Sequence, residues 1–464
     1  MLRQRRAVAA LLSAISVGGV VALAGCSSSS SPSSSGKSLT VWSEENDPQR
    51  MVAQRQVFAK FTKATGIQVN LVGIAENQFS TLVTSAAAAG NLPDVIGALP
   101  VSDADQLAKE NIADSAAATA VVDKLGRSTF QAQVLKLATQ NGALVGVPSD
   151  SWVQMLIYRQ DLLAKYHLPV PNTYATVLSD AAALKSHGYA GIVAATDAND
   201  AFTEQTFEYV SLANGCQLVE AKGSVTLGSP QCQQAFSFYN QLIKNDSVPG
   251  SQNVDTTEQE YLAGKAGMII WSSYILPALA GQEQGSVPSC PECRSDSAYL
   301  AKNSGIVTAL SGSTSHAATD YGQISTWVIS KNSQNKAGAE KFVSYMMNQG
   351  YGSWLSLDPP GKLPVRTSTS AGSVGSQWSS LPISLGTAKP TSAYYAAPTI
   401  SSLLAGPGKI TEWGLPYGQG ALLGETLASE PVPNAISSMI GGGTSPSAAD
   451  QQAVAQVKSI QANS

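Results

Sequence analysis

Residues able to do bond-making chemistry are few in this chain. No two of the three histidines, His167, His187 and His316, lie within metal-ligand spacing, and there is no HExxH zinc motif, EF-hand loop or GxSxG elbow. Gly418-Gln-Gly420-Ala-Leu-Leu-Gly424 comes nearest to a nucleotide loop, but its last glycine is one residue too far along and it follows Pro416, so it reads as a turn entering a helix. Acids pair at Glu44 with Glu45 and at Glu258 with Glu260. Paired carboxylates are what a glycosidase needs, yet almost any chain of this length offers such pairs, and solvated or ligand-bonding carboxylates are the commoner use. No metal, cofactor or catalytic residue is expected.

What remains is binding chemistry. The chain holds seven tryptophans and fifteen tyrosines. Trp42, Trp152, Trp271, Tyr274, Trp354, Trp413 and Tyr417 stand beside Ser, Gly, Asp or Pro in segments that read as loops. Aromatic faces pack on the apolar C–H faces of sugar rings, while nearby carboxylates and amides fix the hydroxyls. Trp42, at a strand end, and Trp327, inside a strand run, lean towards the core. Trp152, Tyr274 and Trp413 are balanced between core and ligand contact.

The elements that must position these residues follow from pattern. Leu39 to Trp42 reads as a buried strand, and Asp47 with Pro48 caps a helix that Gly66 ends. Ile67, Val69 and Leu71 alternate as a strand, and Phe79, Leu82, Val83 and Ala86 share one helical face. Gly90-Asn-Leu-Pro93 then precedes the apolar run Val95 to Leu99. Strand and helix alternating in this way predict a doubly wound parallel sheet, whose ligands bind at the carboxyl ends of strands. That rule points to Glu44, Glu45 and the segment 99–102. Gly146-Val-Pro148 and Ser149 to Trp152 precede the apolar stretch Met155 to Tyr158, where a crossover into a second lobe is expected. A strand over 324–330, a helix over 336–347 and a loop-dominated stretch over 358–390 follow. Ser447-x-x-Asp450 capping chemistry, with Val454, Val457 and Ile460 on one side, predicts a docked final helix.

The 464 residues allow two to four domains at about 100 to 200 residues each, and charged residues make up 13%, against roughly 25% in ordinary globular chains. Residues 1–25 read as an export leader, with basic Arg3, Arg5 and Arg6, an apolar run Ala7 to Val21, and Leu23-Ala-Gly-Cys26 resembling a bacterial lipobox. Cys26 is then the lipidated first residue, and the Ser-rich stretch 26–38 is a flexible tether. Removing the leader takes the net charge from −4 to −7. With no Lys or Arg run beyond residue 6, nucleic acid is not an expected partner. Four cysteines remain for an oxidising compartment. Cys216 with Cys232 and Cys290 with Cys293 is the favoured pairing among three connectivities, because each pair is local. A redox or zinc role for the single CxxC at 290–293 is the alternative.

In order and spacing, several segments resemble the extracellular solute-binding proteins of carbohydrate-type ABC importers, the maltose-binding protein-like family. They are Leu-Thr-Val-Trp at 39–42, Phe61-x-x-x-Thr-Gly-Ile-x-Val, Ala-Gly-Asn-Leu-Pro-Asp-Val at 89–95, Gly-Val-Pro at 146–148, Leu156-Ile-Tyr-Arg-Gln-Asp-Leu, Gly264-Lys-Ala-Gly-Met-Ile-Ile and Lys336-Ala-x-x-x-x-Phe. The resemblance implies an α/β fold of two doubly wound lobes with a hinge and an interlobe cleft, the type II periplasmic-binding-protein arrangement. It places lobe 1 at 39–149 and 319–372 and lobe 2 at 150–318 and 373–464. Carried over by position, it implies ligand contacts from Glu44, Glu45 and Asn46, from Asp150 and Trp152, from the region 195–205 with Asn199 and Asp200 foremost, from Trp271 and Tyr274, and from Trp413 or Tyr417. The chain departs from maltose-type members at Gly97-Ala-Leu-Pro-Val101, where those members carry acidic and basic ligand-binding residues, so the sugar is left open.

The resulting expectation is a monomeric, non-enzymatic receptor on the outer face of the cell membrane, anchored at Cys26, that captures a carbohydrate, by default a small oligosaccharide or glycoside, and passes it to ABC permease subunits. A receptor for a non-sugar solute and an exported glycoside hydrolase are the alternatives.

Overall fold

The computed structural model describes residues 37–313 and 317–463; the leader, Cys26, the tether up to residue 36 and His316 lie outside the described residues. Strand β1 (Ser38–Ser43) buries Leu39, Val41 and Ser43 on one face. Asp47 then accepts the N–H groups of Gln49 and Arg50 at 2.9 and 3.0 Å, starting helix α1 (Pro48–Thr65), and Gly66 ends it in the left-handed conformation. Strand β2 (Gln68–Gly73), helix α2 (Phe79–Ala89), strand β3 (Val95–Pro100) and helix α3 (Val101–Lys109) continue the alternation. β1 lies between β2 and β3 and parallel to both, with Val41 opposite Leu71 and Val95.

Three later strands complete this sheet: β4 (Val147–Ser151), β8 (Ile324–Ile329) and β9 (Leu363–Pro364), in the order β9-β4-β8-β3-β1-β2. β8 runs antiparallel to β3 and β4. A second sheet has the order β6-β5-β7, with β5 (Gln154–Arg159) antiparallel to β6 (Met268–Ser272) and β7 (Ser304–Val307). All six residues of β5 are buried because helices cover it, among them α4 (Ala201–Ala213), whose Tyr209 hydroxyl donates to Val307 O at 2.8 Å. The protein is thus an α/β fold of two lobes, each built on its own sheet.

The chain leaves the first sheet at Ser151 and enters the second at Gln154. Beside this passage runs a second one, with Trp152 N–H donating to Gln323 O at 3.1 Å and Gln154 N–H to Tyr321 O at 2.9 Å.

In the first lobe α1 and helix α5 (Lys336–Met346) pack on the sheet through edge-to-face contacts of Phe342 with Phe58, Phe61 and Trp327 at 4.9, 5.2 and 5.6 Å. A Cβ at residue 97 would stand 2.1 Å from the Trp327 ring, so glycine is required there. That fit accounts physically for the departure at Gly97.

The cysteines pair locally, Cys216 with Cys232 and Cys290 with Cys293. The stretch 358–390 is dominated by loops, as expected, and is anchored by Trp378, which is buried and donates through Nε1 to Pro359 O and Lys362 O at 2.8 and 3.1 Å. One expectation needs correction. The final helix, α6 (Pro446–Asn463), starts two residues earlier than expected; Ser445 Oγ accepts the Ala448 N–H at 3.3 Å, and Asp450 is buried away from any cap. Val457 is buried on the expected face, with Val454 and Ile460 packed beside it. No helix among the described residues is long and apolar enough to cross a membrane.

Candidate functional site

The carboxyl ends of β1 and β3, the start of β8 and the end of β6 converge on one cavity of about 330 Å³, lined among others by Glu44, Pro100, Trp152, Asp200, Trp271 and Gln323. It shares Glu76, Pro100, Asp200, Ala201 and Gln323 with an adjoining space of about 660 Å³ that reaches Asp103, Asn199 and Glu430. Residues from both lobes therefore meet across one cleft, beside the passage at Trp152 and Gln323. Its size falls within the range of small-molecule sites, about 300 to 1,000 Å³.

Trp271, the penultimate residue of β6, stands in the cavity wall. Its Nε1 donates to Val254 O at 3.3 Å and Thr257 Oγ1 at 3.2 Å, and Phe202 stands 5.3 Å away, so the indole is fixed. Trp152 is held edge-on to Tyr321 at 5.8 Å. Tyr274 also lines the cavity, with the Arg50 guanidinium over its ring at 5.2 Å. A Cβ on Gly361 would come within 2.1 Å of that ring, so the close approach requires glycine. Ala98, in the same wall, has φ of 61°, a left-handed backbone that costs an alanine about 1 to 2 kcal/mol.

Asp200 lies where two helices begin. Its Oδ1 accepts Phe202 N–H at 2.9 Å, capping α4, and its Oδ2 accepts Val254 N–H at 2.8 Å. Glu45 lines the cavity but is committed elsewhere, to Arg50 at 3.0 Å and to the buried Lys362. Burial alone would raise its pKa; Lys362 and Arg50 outweigh that and bring it to about 2. Arg50 is itself bound to Asp358 at 2.6 Å. Glu44 has no such partner, and burial, then Asp103, Glu76 and Glu45, push its pKa well up.

Of the residues expected from sequence, Glu44, Glu45, Trp152, Asp200, Trp271 and Tyr274 line the first cavity and Asn199 the adjoining one. The other four lie elsewhere. Asn46 is exposed and outside the lining. Asp150 is fully buried, accepting from Trp354 Nε1 at 2.6 Å and pairing with Lys362 at 3.1 Å, so it belongs to the core of the first lobe. Trp413 is fully buried, donating through Nε1 to Cys216 O at 3.1 Å. Tyr417 borders a separate hollow with Lys136 and Asn141 that shares no residue with the cleft.

Sequence reasoning missed Arg50, Glu76, Asp103, Phe202 and Gln323, all of which line one or both spaces, whereas Gln205, also in the lining, falls within the expected region 195–205. The strand-end rule came within one residue of Asp103. Gln323 carried no such signal, because its place depends on β8 running antiparallel beside β3.

The sequence model of the bacterial extracellular solute-binding proteins matches residues 47–352. The chain belongs to that family. It is a solute-binding protein, not an enzyme. A curated protein of Escherichia coli K12, YcjN, whose name places it among ABC transporter periplasmic-binding proteins, is 29% identical over 330 residues, which cover 69% of this chain and 71% of YcjN. Among solved structures, maltose-bound MalE3 of T. maritima matches with a TM-score of 0.70 at 18% identity, over 91% of this chain and 99% of the other. A sugar transporter protein of Arthrobacter chlorophenolicus with bound laminaribiose gives 0.70 at 17% identity, over 91% and 99%. A solute-binding protein of Agrobacterium vitis with bound D-mannitol gives 0.63 at 18% identity, over 92% of this chain and 98% of the other. Likeness at these identities establishes the shared two-lobed fold.

Proposed function

We propose that this protein captures a carbohydrate in the cleft between its lobes and delivers it to the permease of an ABC importer. The observation that carries the reading is the cavity wall itself, in which the fixed indoles of Trp152 and Trp271 stand with Glu44, Asp200 and Gln323 at strand and helix ends. The indoles provide apolar faces for sugar rings, and the polar groups provide partners for hydroxyls. The sugar and polyol ligands of the fold relatives support the same class of solute.

Lobe boundaries at 39–149 with 319–372 and at 150–318 with 373–464 fit this reading. Contacts from both lobes are completed only when the cleft is shut, so ligand shifts the open and closed populations towards closed. Cleavage of residues 1–25 and lipidation of Cys26 would hold the protein, as a monomer, on the outer face of the membrane. The non-sugar alternative keeps the same fold and cleft and differs in the solute.

A thermal-shift screen against mono- and oligosaccharides, with polyamines and peptides as controls, tests the reading. A sugar at about 100 times its Kd adds roughly 2.7 kcal/mol and raises the midpoint by several degrees. A response confined to peptides or polyamines would replace carbohydrate with another solute.

A further inference from the structure

Glu44, Glu76 and Asp103 line the cleft without a basic partner. Among the described residues, Arg50 is the basic side chain in the lining of either space, and Glu45 and Asp358 already occupy it. Glu44 Oε1 is a buried atom with no hydrogen-bond partner. The three carboxyls also sense one another. Burial raises all three pKa values, Asp103 and Glu76 push Glu44 further up, and Glu76 helps lift Asp103 to about 7. Like-charged groups left together in a wall are unfavourable until a cation or protons join them.

A metal ion is not what this arrangement fits. No group of three His, Cys, Asp or Glu among the described residues is placed to hold one. An organic ammonium needs no tight coordination shell, and its N–H groups form charge-assisted hydrogen bonds to spread carboxylates. The aromatic side chains in the same lining offer apolar faces to a ring in the same ligand, and such faces also attract a cation.

We propose that the cleft selects a saccharide bearing a protonated amino group, with the ammonium among Glu44, Glu76 and Asp103 and a sugar ring against Trp271 and Trp152. This rests on the carbohydrate reading above and narrows it. Neutral sugars of the same shape fill the aromatic side but leave the carboxylates uncompensated.

Calorimetric titration with matched pairs tests this: glucose against glucosamine, and cellobiose against the glucosamine disaccharide, with spermidine as a cation lacking a sugar ring. The amino member of a pair is expected to bind at least about tenfold more tightly than its neutral partner, and the preference to shrink in about 0.5 M salt. Glu44→Gln and Asp103→Asn should each erase most of that preference without lowering the melting midpoint, and Asp103→Asn, in the adjoining space, should leave the neutral sugar's affinity in place. Equal or tighter binding of the neutral members, or a preference that survives both substitutions, overturns the inference and leaves the carbohydrate reading standing. Binding of spermidine with silence from every saccharide overturns both.

Discussion

Glu44 and Glu45 follow β1 one peptide apart, and burial acts on both, but Lys362 and Arg50 reach only Glu45. Lys362 in turn lies fully buried between Glu45 and Asp150. Replacing it by Met leaves the buried Asp150 without its cation and Glu45 with Arg50 alone, and urea unfolding should show a loss of about 3 to 5 kcal/mol. The tryptophans divide in the same local way. Trp413→Ala opens a hole beside Phe207, and the same measurement should show a loss of about 3 to 5 kcal/mol. Trp271→Ala should instead weaken ligand by more than about tenfold in calorimetry, in a chain that still unfolds cooperatively. Both residues stand next to a Ser or Gly in sequence, so local composition could not separate them. What separates them is the Cys216 carbonyl that holds Trp413 inside, and that contact spans 197 positions.

At the scale of elements, α4 and the segment around Trp413 bring Glu204, Glu208 and Glu412 into the interior. Burial raises Glu204 and Glu412 to about 8, with Glu412 and Glu430 adding to the shift of Glu204, and burial with Glu412 holds Glu208 well up. The folded chain keeps protons there that the unfolded chain sheds above about pH 4.5, so stability falls as pH rises from there to about 8. Glu45 acts with the opposite sign: its contribution is present above about 4.5 and is lost as pH falls towards 2. A melting-temperature profile should therefore peak on the acid side of neutrality, and Glu204→Gln should flatten its alkaline decline. The Cys216–Cys232 bridge closes a 16-residue loop, and replacing both cysteines by Ser should lower stability by about 3 kcal/mol in the same assay. Local elements were readable where a cap, a glycine stop and an apolar period agreed, as at Asp47, Gly66 and Phe79. The stretch 358–390 gave no such agreement, since its burial comes from Trp378 closing back on Pro359 and Lys362 and from Lys362 pairing with the distant Glu45 and Asp150.

At the scale of the whole molecule, two sheets share a chain that passes between them at Trp152 and again at Gln323. The strand-end rule placed Glu44 and Glu45 at this junction from one stretch of sequence, because a parallel βαβ unit fixes its own strand ends. Glu76, Gln323 and Phe202 come from three separate segments, and their meeting is set by tertiary packing alone. Pairing the lobes across a cleft makes affinity depend on contacts from both sides, so removing Trp271 from one lobe or Glu44 from the other should weaken the same ligand. The most direct measurement is a calorimetric titration of the protein and of Trp271→Ala with the saccharide that gives the largest thermal shift, followed by chromatography of the recovered sugar. Saturable binding to the unaltered protein, loss of at least about tenfold in the variant and return of the sugar intact are the predicted results. Unchanged affinity in Trp271→Ala would contradict the cleft as the binding site, and a cleaved sugar would contradict a receptor.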